Sequence, residues 1–191
     1  MGLDSVELLF QFEKKFQIVI SDEEAAKLFT LEDATNTIAQ HKNVTKTTCS
    51  KIETIKTEIF DTLKQVATIL NMSPNDKISS VLNAHNKGAW NAFEEATKYK
   101  IKKPYFDSKS KTSILSKLQF WKPNYDWNEL TIEEFIDGIL IFNYELIVDF
   151  INPNGIDEIY IGVAGLTADR TGIDVYDIKP FKSFTRDLGI D

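Results

Sequence analysis

Apolar residues recur along this chain mostly at helical spacing, and capping residues stand where most runs begin. In Asp4 to Phe16, Val6, Leu9, Phe10 and Glu13 fall on one face, with Leu8, Phe12 and Phe16 close beside it. So wide an apolar arc predicts a helix packed on more than one side. Asp4 is its expected N-cap, with Glu7 three residues on as the capping-box partner. Ile18-Val19-Ile20 reads as a short extended link. Ser21 then caps a helix from Asp22 to Leu28, where Glu23 and Glu24 suit the first turn. Thr30 caps another, from Leu31 to about Gln40.

Further on, Ile52, Ile55, Ile59, Leu63, Val66 and Leu70 form the stripe of a longer helix from Ser50 to Asn71, which Ser73-Pro74 stops. A helix from about Lys87 to Lys98 has Trp90 and Phe93 as anchors. Residues 107–113 (DSKSKTS) read as a loop. Trp121, Pro123, Tyr125 and Trp127 make an aromatic-rich connector. Thr131 caps a helix to about Ile151, broken by Asn152-Pro153-Asn154-Gly155. Ile156 to about Thr171 is the last predicted helix. Gly172 and an irregular tail to Asp191 follow it. Strand signals are few, so the expected fold class is all-α.

Composition narrows the functional classes. With 42% hydrophobic and 27% charged residues over 191, the chain has the means to bury a core. A single cysteine, Cys49, excludes an intramolecular disulfide and suits a reducing, cytoplasmic setting. No signal-peptide pattern is present, and Val6 stands where a myristoylation motif wants Ser or Thr. The most apolar run, Phe135 to Ile151, carries Asp137, Glu145 and Asp149, so no membrane span is expected. Charge is uneven. Residues 1–40 hold 3 Lys against 8 Asp and Glu; 41–123 hold 15 Lys against 7; 124–191 hold 4 Lys and Arg against 14. The two ends share an acidic character and the middle is basic.

The ends also share a resemblance. Residues 1–40 contain a helix with Glu7-Leu8, a closing Glu13-x-x-Phe16, the link Ile18-x-Ile20-x-Asp22-Glu23, and Thr30-x-x-Asp33-Ala34 turning into the next helix. This resembles the second half of an acyl carrier protein, the phosphopantetheine-binding family. Residues 156–191 resemble its first half: an amphipathic helix, Gly172-Ile173-Asp174, then DIKPFKSFTRDLGID. Ile178, Phe184 and Leu188 would plug the loop into the core. The ending Asp187-Leu188-Gly189-Ile190-Asp191 is similar to the run just before the family's modified serine. The resemblance implies an acyl-carrier-like bundle assembled from both ends in a circularly permuted or split arrangement, around a helical middle. Its parts would be a carrier-like second half (1–42), a basic helical segment (43–130) and a helix plus carrier-like first half (131–191).

Two registers place the serine differently. One takes Asp4-Ser5-Val6 as the Asp-Ser-Leu motif, with Ser5 at a helix N-terminus, where backbone N–H groups favour a phosphodiester. The helix is then three residues shorter than the family's, almost one turn. The other needs no gap: Asp191 is the motif's aspartate and Gly2 stands where the serine belongs. The gap-free register is favoured, and it removes the oxygen that would take the arm. The resemblance thus implies a non-catalytic carrier-fold accessory or interaction module with no cofactor. It would contact other proteins, such as acyl-transfer or phosphopantetheinyl transferase enzymes, through Glu7, Glu13, Asp191 and Gly2. The alternative is a genuine carrier bearing 4′-phosphopantetheine on Ser5, beside Asp4. Pairing of the halves within one chain or between two, as a domain-swapped dimer, stays open.

The middle segment faintly echoes the same plan. AFEEATKYKIKKP is similar to LFQFEKKFQIVISDE, but no serine follows an aspartate at the equivalent point. Its lysines suggest docking on the acidic ends. Nothing points to catalysis. His41 and His85 lack zinc-ligand spacing, and Gly162, Gly165 and Gly172 form no phosphate loop. Overall acidity argues against nucleic acid as a partner of the Lys98–Lys103 cluster.

Overall fold

The computed structural model describes residues 3–83, 86–103 and 125–190, and among these the chain is all-helical. Its helices are α1 (Leu3–Phe16), α2 (Asp22–Ala25), α3 (Leu31–His41), α4 (Ser50–Ala67), α5 (Ile78–Val81), α6 (Lys87–Thr97), α7 (Ile132–Phe142), α8 (Tyr144–Ile147) and α9 (Ile156–Thr171). The 107–113 loop, Trp121, Pro123 and His85 lie outside the described residues.

Helix α9 sits at the centre, against α3 and α1 on one side and α7 and α8 on the other. It was expected to be amphipathic. Instead Ile159, Ile161, Val163, Ala164, Leu166 and Ala168 are all buried, because neighbours cover the whole circumference. Close approach needs a missing side chain: a Cβ on Gly165 would lie 2.2 Å from Tyr144 Cγ. The start of α9 is tied down by Glu158, which is fully buried. It accepts the N–H of Asp149 at 2.9 Å and of Asn154 at 2.8 Å, and Lys51 Nζ lies 3.5 Å away.

Several boundaries differ from expectation for local reasons. Helix α1 starts at Leu3, so Asp4 lies in its first turn rather than capping it, and Glu7 turns to Arg170 on α9. The core face of α1 is Leu8, Phe12 and Phe16, whereas Val6 and Phe10 are exposed. Helix α2 stops at Ala25 and α4 at Ala67, where Thr68 turns left-handed and leaves Leu70 in solvent. Helix α7 ends at Phe142 rather than near Ile151. Its C-cap, Asn143, is buried and bonds outward, accepting the N–H of Lys100 at 3.0 Å and donating to the Lys100 carbonyl at 2.8 Å.

One backbone pattern occurs twice. Thr30 caps α3 in a capping box with Asp33 and bridges Ser183 of the tail. Around it Leu31 N–H donates to the Lys182 carbonyl, Glu32 N–H to Pro180, and Phe184 N–H to Phe29. Thr131 caps α7 with Glu134 and bridges Lys77. There Ile132 N–H donates to the Asp76 carbonyl, Glu133 N–H to Pro74, and Ile78 N–H to Leu130. Each helix so capped has 11 residues. Helix α1 is followed by left-handed Gln17 and α6 by left-handed Lys98, at φ 52° and 64°. Helices α9 and α4 end on left-handed Gly172 and Thr68. Thus α9, the tail, α1 and α3 are laid out like α4, the 68–78 segment, α6 and α7.

The two sets share one hydrophobic core. Tyr176 of the tail stacks on Phe135 of α7, with centroids 6.0 Å apart, and its O–H donates to the Lys102 carbonyl at 2.7 Å. Basic side chains of the middle do reach acidic partners on the C-terminal part. Lys51 approaches Glu158 and Lys102 approaches Asp174, both at 3.5 Å. Neither reaches the carboxylates of α1.

Candidate functional site

The tail and the N-terminal helices meet within one chain. Phe184 packs on Phe12, centroids 6.5 Å apart, and Ile178, Phe184 and Leu188 are all buried, as the resemblance of the tail implied. Between α1, α2 and the tail lies a cleft of about 60 Å³, lined by Ser5, Leu8, Leu9, Phe12, Ala25, Leu28, Phe184 and Thr185. Its walls are apolar except near Ser5 and Thr185. Ser5 is the third residue of α1 and half-buried, at the end where backbone N–H groups lack helical acceptors. This corner therefore combines an apolar slot with a hydroxyl at a helix start.

The α2 wall is fixed by a small polar network. Ser21 caps α2, and Glu24 returns the bond by accepting the Ser21 N–H at 2.8 Å. Glu24 also lies 3.0 Å from His41 Nε2 at the end of α3. The Ser21 N–H and hydroxyl, together with His41, hold the Glu24 carboxyl below the ordinary value. The serine-to-glutamate spacing announces the cap in the sequence. Its link to His41 depends on the fold and leaves no sequence signal.

Of the residues singled out from sequence, Asp4, Ser5, Glu7 and Glu13 all lie on α1. Asp4 is exposed. Glu7 is engaged by Arg170, and Glu13 accepts the Ile20 N–H at 2.8 Å, closing the link after α1. Gly2 and Asp191 lie outside the described residues. Sequence reasoning did not single out Leu28 and Thr185 as cleft residues. Among the described residues no cluster of His, Cys, Asp or Glu is arranged to hold a metal ion, and no helix is long and apolar enough to cross a membrane.

A stretch of 40 residues is 50% identical to an acyl carrier protein of Karelsulcia muelleri, covering 21% of this chain and 48% of that one. A stretch of 41 residues is 50% identical to an acyl carrier protein of Chloroherpeton thalassium, covering 22% and 51%. Part of this chain is similar to acyl carrier proteins. The match spans about half the length of those relatives. No family profile matches the chain, and no solved structure matches it.

Proposed function

We propose that this protein is a carrier-fold interaction module that works through contacts with other proteins, with no prosthetic arm at the family's usual position. The carrying observation is the pairing of the tail with α3: Ser183 bridges Thr30, and the Lys182 and Pro180 carbonyls accept from Leu31 and Glu32. It brings the segment resembling the family's first half against the segment resembling its second half, which supports a carrier-like arrangement reversed along the chain. The gap-free register then sets Gly2 at the serine position, and glycine has no oxygen to modify. Helix α1 is the surface for partners such as acyl-transfer enzymes, with Val6 and Phe10 exposed and Asp4 near its start. Helices α4 to α7 form a degenerate second unit of the same plan, supported by the repeated backbone pattern, with no serine following an aspartate at the equivalent point.

A second reading has its own support: Ser5 lines the apolar cleft, which suits a genuine carrier modified there. Incubating the chain with coenzyme A and a phosphopantetheinyl transferase, followed by intact mass spectrometry, separates the two. No mass change supports the first reading. A gain of one phosphopantetheine that disappears in Ser5→Ala establishes the second.

A further inference from the structure

One difference between the two similar sets of helices is a groove. In the second set a groove of about 230 Å³ opens between α4, α7 and the segment joining α4 to α5, lined by Lys56, Thr57, Phe60, Pro74, Glu133 and Ile136. The matched landmarks give its counterpart in the first set. Aligning left-handed Thr68 with Gly172 sets Lys56 opposite Tyr160, Thr57 opposite Ile161 and Phe60 opposite Ala164. The paired carbonyls set Pro74 opposite Pro180, and the two capped helices set Glu133 opposite Glu32.

In the first set this place is filled. Tyr160 packs its ring against the core and points its O–H at the Ile178 carbonyl, 3.5 Å away, while Ile161 and Ala164 are buried. In the second set Lys56 turns aside to Asp137, at 2.6 Å, and contributes no ring. What it leaves is an apolar slot with Phe60 and Ile136 among its walls. An engineered apolar cavity of about 150 Å³ binds benzene. A slot of about 230 Å³ therefore has room for one ring with a short substituent. Lys56 and Asp137 satisfy each other, and the exposed Glu133 carboxylate disfavours an anion, so a neutral ligand suits the mouth.

We propose that this groove is a binding site for a small phenolic molecule. The ring would stand where the tyrosine ring stands in the first set, and its hydroxyl would hydrogen-bond a backbone carbonyl of the segment ending at Pro74. The proposal rests on the repeated backbone pattern and not on whether Ser5 carries an arm.

The test uses p-cresol, the tyrosine side chain as a free molecule, titrated into the full chain while amide chemical shifts are followed. The expected result is saturable, millimolar-range shifts centred on Thr57, Phe60 and Ile136. Lys56→Tyr installs the missing ring and should reduce them at least tenfold. Thr57→Phe, at an exposed helix position, should do the same by covering the mouth, and it serves where Lys56→Tyr fails to fold. Lys56→Met, which removes only the ion pair, should keep binding within about threefold. Shifts that never saturate, or that persist in folded Lys56→Tyr or Thr57→Phe, would overturn the assignment.

Discussion

Replacing Phe184 by alanine tests whether the tail is an integral part of the N-terminal helices. Phe184 is 7% exposed, packs on Phe12 and lines the cleft beside Ser5. Phe→Ala in a core costs about 3–5 kcal/mol, and more where the hole cannot collapse. Here the hole merges with a cleft that already exists, so the lower end applies, about 3 kcal/mol. The bond from Phe184 N–H to the Phe29 carbonyl does not involve the ring, so the variant retains it and the loss belongs to the side chain. With a urea slope of about 2 kcal/mol/M, the midpoint should fall by about 1.5 M. Helical circular dichroism reports the whole chain, whereas tryptophan fluorescence reports Trp90, Trp121 and Trp127, of which Trp90 and Trp127 contact each other and Phe135. With one shared core, both probes should move together. The cycle with Phe12→Ala should return a coupling of about 1 kcal/mol for the ring pair. A loss under about 1 kcal/mol with no coupling would refute the packing argument. A midpoint that rises with protein concentration would show instead that the halves pair between two chains.

Two further perturbations probe polar groups, one buried and one half-buried. Glu158→Ala strips the Asp149 and Asn154 N–H groups of their acceptor at the start of α9, and should cost about 3 kcal/mol. That is a drop of roughly 6–12 °C in melting temperature for a chain of this size, against a smaller one for Glu158→Gln, which keeps the volume and one acceptor oxygen; equal drops would argue that a single acceptor contributes nothing there. Glu134 gives a pH dependence: burial opposes its ionisation, but the Thr131 N–H and the Lys179 ammonium at 2.9 Å outweigh it and hold the carboxyl below its ordinary value. A depressed carboxylate stabilises the fold above its unfolded value and loses that contribution as pH falls through the folded one. Glu134→Gln should therefore flatten the stability profile below about pH 5 and leave its shape near neutrality unchanged; an unaltered acid limb would contradict the assignment.

The legible features were those carried by local chemistry. Ser21, Thr30 and Thr131 each cap the helix expected of them, because the signal is a side chain three residues from its acceptor. The plugs Ile178, Phe184 and Leu188 were implied by the resemblance of the tail to the family's loop, and all three are buried. What failed was set by distant partners. Nothing near Asn143 says that a helix must break there, since the reason is the backbone of Lys100. On α1, both Val6-Phe10 and Leu8-Phe12-Phe16 have helical spacing, and only the position of α9 and the tail decides which faces inward. The cleft lies between the first and the last parts of the chain, so no local pattern encodes it.

The burial of α9 bears directly on how the two sets of helices depend on each other. A helix that packed only on α1 and α3 would turn a polar face outward. Here the opposite face holds Gly165 against Tyr144, and Gly138 of α7 makes room for the Tyr176 ring of the tail. Removing α4 to α8 would take Tyr144 from Gly165 and Phe135 from Tyr176, and a large apolar side chain so uncovered is worth about 1.5–3 kcal/mol. The middle of the chain is thus part of the support of the carrier-like ends, not a passenger between them. The same argument says which surface is left for partners. The faces of α9 are occupied, Glu7 is held by Arg170 and Glu13 by the Ile20 N–H, which leaves Val6 and Phe10 exposed on α1 and Ser5 half-buried.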